Sequence, residues 1–327
     1  MPNASARRGL CAVVLSLALA ALLPPCAQAE SQGAATIPRR TKVLTGPPVA
    51  EREQPADQSE AAEPIRLAVA AGDWGSAAPG EIGIVLMSAA RVLAAAVDAR
   101  ERAQVPLRVV PRAGAPRVLY ERSGEGYYVV QLTARDVHWT QFAYQFSHEL
   151  CHIYSNFDHK DLVGASPDTR NQWFEESLCE AAALHTLKAM SRDWARHPPN
   201  RNLSGYAPAF EAYAGRLSAD AHRQLPDGVN FGTWFEQNFE QLRANPYLRD
   251  KNELIANQML VLFDRYPQLW RTIVYLNRDK ASAAKPFADY LRDWYGACPD
   301  WLRPPVAEVI GLFGISPRPP EAAGGGS

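Results

Sequence analysis

Residues 148–152 read His148-Glu149-Leu150-Cys151-His152, an H-E-x-x-H pattern. That pattern demands an α-helix. Two histidines four apart stand one above the other only on a helix face, where both imidazoles reach one metal ion. The glutamate between them then points into the same cleft, placed to take a proton from a water that the metal activates. The chain has only 7 histidines, so a chance H-E-x-x-H is a roughly one-in-a-hundred event.

The surrounding residues carry the periodicity that such a helix needs. Trp139, Phe142, Phe146, Leu150 and Ile153 form an apolar stripe, and Gln141, Gln145, His148 and His152 form a polar one. Burial of the first stripe leaves the second facing a cleft. The helix is predicted to run from an N-cap at Thr133, with Asp136 as a shortened capping-box partner, to about Tyr154.

Upstream, residues 65–70 read as a short strand and 81–102 as a helix, with Ile82, Val85, Leu86, Ala89, Leu93 and Val97 at helical spacing. Residues 107–111, 117–121 and 127–132 read as strands. Ser123-Gly124-Glu125-Gly126 makes a turn between the last two, so they form a hairpin. Downstream, a charged loop over 156–171 leads to a helix over 172–190. Residues 206–313 are mostly helical by pattern, most clearly 252–266, with Leu254, Ile255, Met259, Leu262 and Phe263 on one stripe. The expected fold is therefore α+β. Residues 64–200 form a catalytic lobe with a small mixed sheet and the motif helix, and residues 201–316 a mainly helical C-terminal lobe.

The ends read differently. Residues 1–29 look like a secretory signal: Arg7 and Arg8 form a positive start, an apolar run covers 10–23, and Ala27-Gln28-Ala29 is a small-x-small cleavage site. The apolar run is too short to span a bilayer, and no second candidate span follows. No stable membrane anchor is therefore expected after cleavage, and the protein is expected to be secreted or periplasmic. Residues 30–63 read as a flexible linker and 317–327 as a flexible tail. Loss of the signal moves the formal charge from −1 to −3, since it removes two arginines and no acids. Such a near-neutral surface carries no basic footprint for nucleic acid. Cleavage leaves Cys151, Cys179 and Cys298. If the helices that carry them pack together, Cys151 and Cys179 either pair in an oxidising compartment or sit as ordinary small buried residues.

A catalytic zinc site needs three protein ligands and an open position. The segment Trp173-Phe174-Glu175-Glu176-Ser177-Leu178-Cys179-Glu180 supplies carboxylates on the next helix. Glu176 and Glu180 are four apart and share a face. Glu176 is assigned as third ligand. Glu180 is assigned to accept the free ring N–H of a ligand histidine, which fixes the metal-binding tautomer. Glu175 is the main competitor for the ligand role.

With these residues the chain resembles the gluzincin branch of zinc metallopeptidases, which includes thermolysin-like enzymes and a large group of zinc aminopeptidases. The matching residues are His148-Glu149-Leu150-Cys151-His152 and then the pair Glu176 and Glu180. The segment Trp173 to Leu178 is also similar to the aminopeptidase sequence Trp-Leu-Asn-Glu-Gly-Phe, which again aligns Glu176 with the ligand. The resemblance covers roughly residues 105 to 190. It implies a zincin-like lobe, one zinc ion, and a tyrosine that hydrogen-bonds the oxyanion. Tyr247, in Asn245-Pro246-Tyr247-Leu248-Arg249-Asp250-Lys251-Asn252, is the best counterpart, with Tyr206 and Tyr213 as alternatives. The Gly-Ala-Met-Glu-Asn exopeptidase motif is missing upstream.

Other metal-site classes fit worse. A metzincin needs a glycine and a third histidine at set positions, which hold Ser155 and Asp158, with His159 one residue late. His138 and His185 read as structural histidines. The parts imply a zinc-dependent metallopeptidase acting on a peptide or protein, with Glu149 as general base. Two other readings stay open: a non-catalytic binding or scaffold protein with a structural metal, and a zinc amidase acting on a non-peptide substrate. An edge strand beside the metal signals an extended peptide, whereas a closed pocket signals a small substrate.

Overall fold

The computed structural model describes residues 65–98, 106–160, 162–163 and 166–317. The signal-like segment, the 30–63 linker and all of the expected tail after residue 317 lie outside the described residues.

Four short strands make one mixed sheet. β1 (Leu67–Val69), β2 (Leu107–Pro111) and β4 (Tyr128–Leu132) run parallel, and β3 (Arg117–Val118) lies antiparallel on the far edge, in the order β1-β2-β4-β3. The period of two is visible in the burial. Leu107 and Val109 of β2 and Tyr128, Val130 and Leu132 of β4 are buried, with half-buried residues between them. The β3–β4 hairpin forms as expected, but β3 stops well short of residue 121. Leu119 N–H still reaches Val129 O at 2.9 Å. Tyr120 then turns away, and its hydroxyl donates to Lys160 O at 2.7 Å.

Helix α1 (Pro79–Val97) begins with a proline, whose missing N–H would have no partner in a first turn. Its stripe of Ile82, Val85, Leu86, Ala89, Leu93 and Val97 is wholly buried. It is long and apolar enough to cross a membrane by length and composition, but that stripe packs into the core. The helix does not reach residue 102. Asp98 turns left-handed, at φ 52°, and caps it by donating its N–H to Ala94 O.

The motif helix α2 (Trp139–Tyr154) begins later than the cap expected at Thr133. Both proposed capping residues have other work. The backbone N–H groups of Thr133 and Ala134 each donate to Gln145 Oε1 at 3.0 Å. Asp136 takes up φ 53°, and its Oδ1 accepts the Ser76 N–H at 2.7 Å and the Ser76 hydroxyl at 3.0 Å. At Gly75, φ 66°, a Cβ would stand 2.3 Å from that same oxygen, so only glycine fits. These bonds tie the approach to α1 to the approach to α2 and so set where the motif helix enters.

The loop after α2 holds a 3-10 turn at Phe157–His159 and a two-stranded ribbon, β5 (Leu162–Val163) with β6 (Ser166–Pro167). Helix α3 (Gln172–Arg196) runs past the expected end at 190, because Trp194 extends its buried face and sits edge-on to Phe210 at 4.9 Å. The remainder is helical: α4 (Ala207–Ala219), α5 (Phe231–Ala244), α6 (Arg249–Arg265), α7 (Phe287–Ala297) and α8 (Arg303–Leu312), joined by 3-10 segments.

Helices α2 and α3 pack against each other at the centre. α1 and the sheet flank α2, and α4 and α6 pack on α3. Trp173 and Phe174, in the first turn of α3, join the C-terminal helices through a ring cluster with Phe235, Phe287 and Phe313. The described residues belong to one compact unit with a continuous core. The class is α+β, a small mixed sheet with a large helical share.

Candidate metal centre

One helical turn of α2 and the first two turns of α3 bring three side chains to a point. His148 Nε2 and His152 Nε2 are 3.2 Å apart. Glu176 places Oε2 3.1 Å from His148 Nε2 and Oε1 3.6 Å from His152 Nε2. Ligands about 2.0–2.1 Å from one centre in a tetrahedron stand roughly 3.3 Å from one another, so this spacing suits a single small cation. His148, His152 and Glu176 therefore lie close enough to hold one metal ion, and all three are buried.

The other nitrogen of each ring is held by a carboxylate. His152 Nδ1 lies 2.7 Å from Glu175 Oε1, and His148 Nδ1 lies 3.5 Å from Glu180 Oε2, an ion-pair distance rather than a hydrogen bond. Glu175, the competitor for the ligand role, thus faces the outer nitrogen of His152 and not the shared point. Glu180, expected to accept the ring N–H of a ligand histidine, faces the outer nitrogen of His148 but stands beyond hydrogen-bond reach.

Each of these carboxylates is backed by a buried cation that the sequence reading did not identify. Lys160 Nζ lies 2.6 Å from Glu175 Oε2, and Asn277 Nδ2 donates to that same oxygen at 2.8 Å. Arg223, with no exposed surface, donates to Glu180 Oε1 at 2.7 Å and also pairs with Glu253 at 3.0 Å. The Tyr144 hydroxyl donates to Glu180 as well.

The ionisation of the cluster follows. Burial pushes Glu175 up, but the Lys160 ammonium and the hydrogen-bonded His152 prevail and hold it down to about 2. Glu180 and Glu176 are likewise held well below the usual carboxylate range, Glu180 chiefly by Arg223 and Glu176 chiefly by His152, against the cost of burial. Burial pushes His148 down, but its contacts with Glu176 and Glu180 outweigh that and raise it to about 9. Burial pushes His152 down too, but Glu176 and Glu175 outweigh it and raise it well above the ordinary imidazole value. A metal ion held here would therefore compete with protons for the same nitrogens.

Glu149 behaves differently. It is fully buried, and no side-chain donor reaches either carboxylate oxygen. Burial raises its pKa, while the two histidines and the Val118 backbone N–H pull it back. Val118 belongs to the edge strand β3. Leu119 pairs with Val129 through a backbone hydrogen bond. The ladder alternates, so the Val118–Val130 pair between bonded neighbours turns its N–H and C=O away from β4. The Val118 N–H, on a residue with no exposed surface, thus faces the Glu149 carboxylate.

A small cavity of about 20 Å³ reaches the centre, lined by His148, Glu176, Glu180, Tyr247, Arg249, Asn252 and Glu253. Tyr247 is half-buried there. Burial and the charges of Glu176 and Glu175 raise the pKa of its hydroxyl, which keeps it a donor. The Tyr247 N–H donates to Asn245 Oδ1 at 3.1 Å, and Asn252 Nδ2 donates to Pro246 O at 2.8 Å, which together fix the turn that presents the ring.

The remaining candidates lie elsewhere. His138 is exposed beyond the start of α2. His185 stacks on Trp270 at 4.3 Å. His159 sits in the 3-10 turn after α2. Tyr206 reaches Val137 O at 3.4 Å, and Tyr213 stands edge-on to Tyr144 at 6.1 Å. Cys151 and Cys179 are buried free thiols, and Cys179 Sγ lies 3.5 Å from His152 Nδ1.

Comparison of the chain with protein-family models and with curated protein sequences returns no match.

Proposed function

We propose that the chain is a zinc-dependent hydrolase of amide bonds whose substrate is a peptide. The observation that carries this reading is Glu149, a fully buried carboxylate that no side-chain donor satisfies, beside the converging His148, His152 and Glu176. A buried carboxylate without side-chain partners is costly, and a purely structural metal site has no use for it. Two imidazole nitrogens and a carboxylate oxygen suit zinc. When bound, zinc lowers the pKa of a coordinated water and polarises a carbonyl oxygen.

His148, His152 and Glu176 would hold the ion, and Glu175 and Glu180 would keep the two rings in the tautomer that presents Nε2. Glu149, with its pKa raised by burial, takes a proton from the attacking water and returns it to the leaving amine. Tyr247 donates to the oxygen on which charge develops. The edge strand β3 lies beside Glu149, an arrangement that suits an extended chain and favours a peptide. The apolar run over 10–23 and the Ala27-Gln28-Ala29 site support export to a secreted or periplasmic location.

A second reading has one observation behind it. His148, Glu149 and His152 are each no more than 2% exposed and the cavity is small, which suits an amidase acting on a compact substrate. A screen of the zinc-loaded chain against a peptide library and a panel of small amides separates the two. Cleavage of extended peptides that is lost in Glu149→Gln supports the peptidase; cleavage of small amides alone favours the amidase; no cleavage of either would overturn the hydrolase reading.

A further inference from the structure

Asn252 sits in the first turn of α6, only 5% exposed, on the wall of the cavity that also exposes His148, Glu176 and Tyr247. The two ends of its amide have different circumstances. Nδ2 donates to Pro246 O at 2.8 Å, which fixes the orientation of the group. Oδ1 is buried and has no hydrogen-bond partner. Among the described residues that line this cavity, the only other buried side-chain atom in that condition is His148 Nδ1, which already faces Glu180.

The structural task of Asn252, holding the Pro246-Tyr247 turn, uses the Nδ2 end alone. A carbonyl oxygen can only accept. A buried acceptor left open beside a reaction site calls for a donor from the ligand. The neighbouring polar group from the same segment, the Tyr247 hydroxyl, is a donor. The two therefore complement the two ends of an amide: an oxygen on which charge develops, and an N–H close to it.

We propose that Asn252 is a substrate-positioning residue whose Oδ1 accepts an N–H of the substrate, and so selects ligands with an N–H beside the scissile carbonyl over those without one. This inference rests on the amide-hydrolase reading. The N–H has two sources, a backbone amide or a terminal ammonium.

The test measures the affinity of the zinc-loaded full chain for dipeptide hydroxamates, whose hydroxamate group seeks the metal. Three probes are used: the free-amine dipeptide, its N-trimethylated form, which keeps the charge but has no N–H at the amine, and the form with the backbone amide N-methylated. Titration calorimetry gives each Kd for the wild type, Asn252→Leu and Asn252→Asp, with zinc content and circular dichroism recorded in parallel. In the wild type the N–H probe is expected to bind about tenfold more tightly than the probe lacking that N–H. The preference should disappear in Asn252→Leu and persist in Asn252→Asp, which keeps an acceptor. Asn252→Ala carries the same reading if the leucine variant does not fold. Affinity lost on methylation of the backbone amide assigns that amide, and affinity lost on trimethylation of the amine assigns the ammonium. An equal preference in the wild type and in the variants without an acceptor overturns the proposal alone. Failure of the zinc-loaded wild type to bind any hydroxamate overturns the hydrolase reading and this proposal with it.

Discussion

Glu175 Oε1 lies 2.7 Å from His152 Nδ1, on the side of the ring facing away from the shared point of His148, His152 and Glu176. Adjacent residues on a helix are turned by about 100°, so Glu175 and Glu176 grip opposite sides of the same imidazole. One positions the ring and the other would share its metal. The carboxylate behind His152 is in turn anchored by Lys160, 2.6 Å away.

This arrangement separates two kinds of variant. Glu175→Gln and Lys160→Met should still take up the metal, but with affinity lowered about 10- to 100-fold. Glu180→Gln, which weakens the support behind His148, should act in the same direction. Competition with a chelator of known affinity measures each. Affinity unchanged in all three would mean that the outer carboxylates do not support the site.

The metal affinity should rise with pH. The ion requires both imidazoles neutral, while the surrounding carboxylates hold the metal-free His148 near pKa 9 and raise His152 as well. Below pH 9 each unit of acidification should therefore weaken binding by at least about tenfold, one factor of ten for each proton displaced. Chelator competition at pH 6, 7 and 8 reads the slope. A flat profile over that range would show that the rings are already neutral.

Glu149→Gln keeps shape and volume but removes the base. It should retain metal while losing hydrolysis by at least about 10³-fold, within the range reported for positioned proton transfer combined with water activation. Tyr247→Phe should lower kcat by about 10²-fold with little change in KM, the signature of a donor that acts on developing charge. Steady-state kinetics on the best peptide from the library separates the two. A Tyr247→Phe variant at full kcat would assign the donor elsewhere.

His185 makes a test of stability independent of the metal. Burial lowers its pKa to about 4 from an ordinary value of 6.5. Between those values the unfolded chain binds the proton and the folded chain does not. Stability is therefore fully present above pH 6.5 and falls as the pH drops toward 4, by on the order of 2 kcal/mol after allowing for partial exposure. The difference in urea midpoint between wild type and His185→Gln should narrow as pH falls from 7 to 4. A constant difference would show that His185 does not titrate in that window.

The legibility of this fold depended on whether a residue's role was local. The motif helix, its buried stripe and the pairing of Glu176 with Glu180 follow from helical periodicity, which needs no knowledge of the rest of the chain. The start of that helix did not follow, because Thr133 and Asp136 are engaged by Gln145 and Ser76, and Ser76 is 60 residues from Asp136. The strand β3 was read too long because its end is decided by a tyrosine that reaches Lys160, 40 residues away.

The same division runs through the site. Lys160 reads as one charge among several in a loop, and Asn277 donates to Glu175 across 102 residues. Arg223 lies 43 residues from its partner Glu180. No spacing rule links such pairs. Tyr247 and Asn252 are intermediate: a resemblance pointed to the tyrosine, while the asparagine became visible only as a buried acceptor on a cavity wall.

The most direct test is the metal content of the purified full chain beside its Glu176→Ala variant, after zinc add-back and desalting, by mass spectrometry of the elements. The account expects one equivalent of zinc in the wild type and a small fraction of that in the variant, with both chains folded. No stoichiometric metal in the wild type, or a full equivalent in Glu176→Ala, would contradict the three-residue centre.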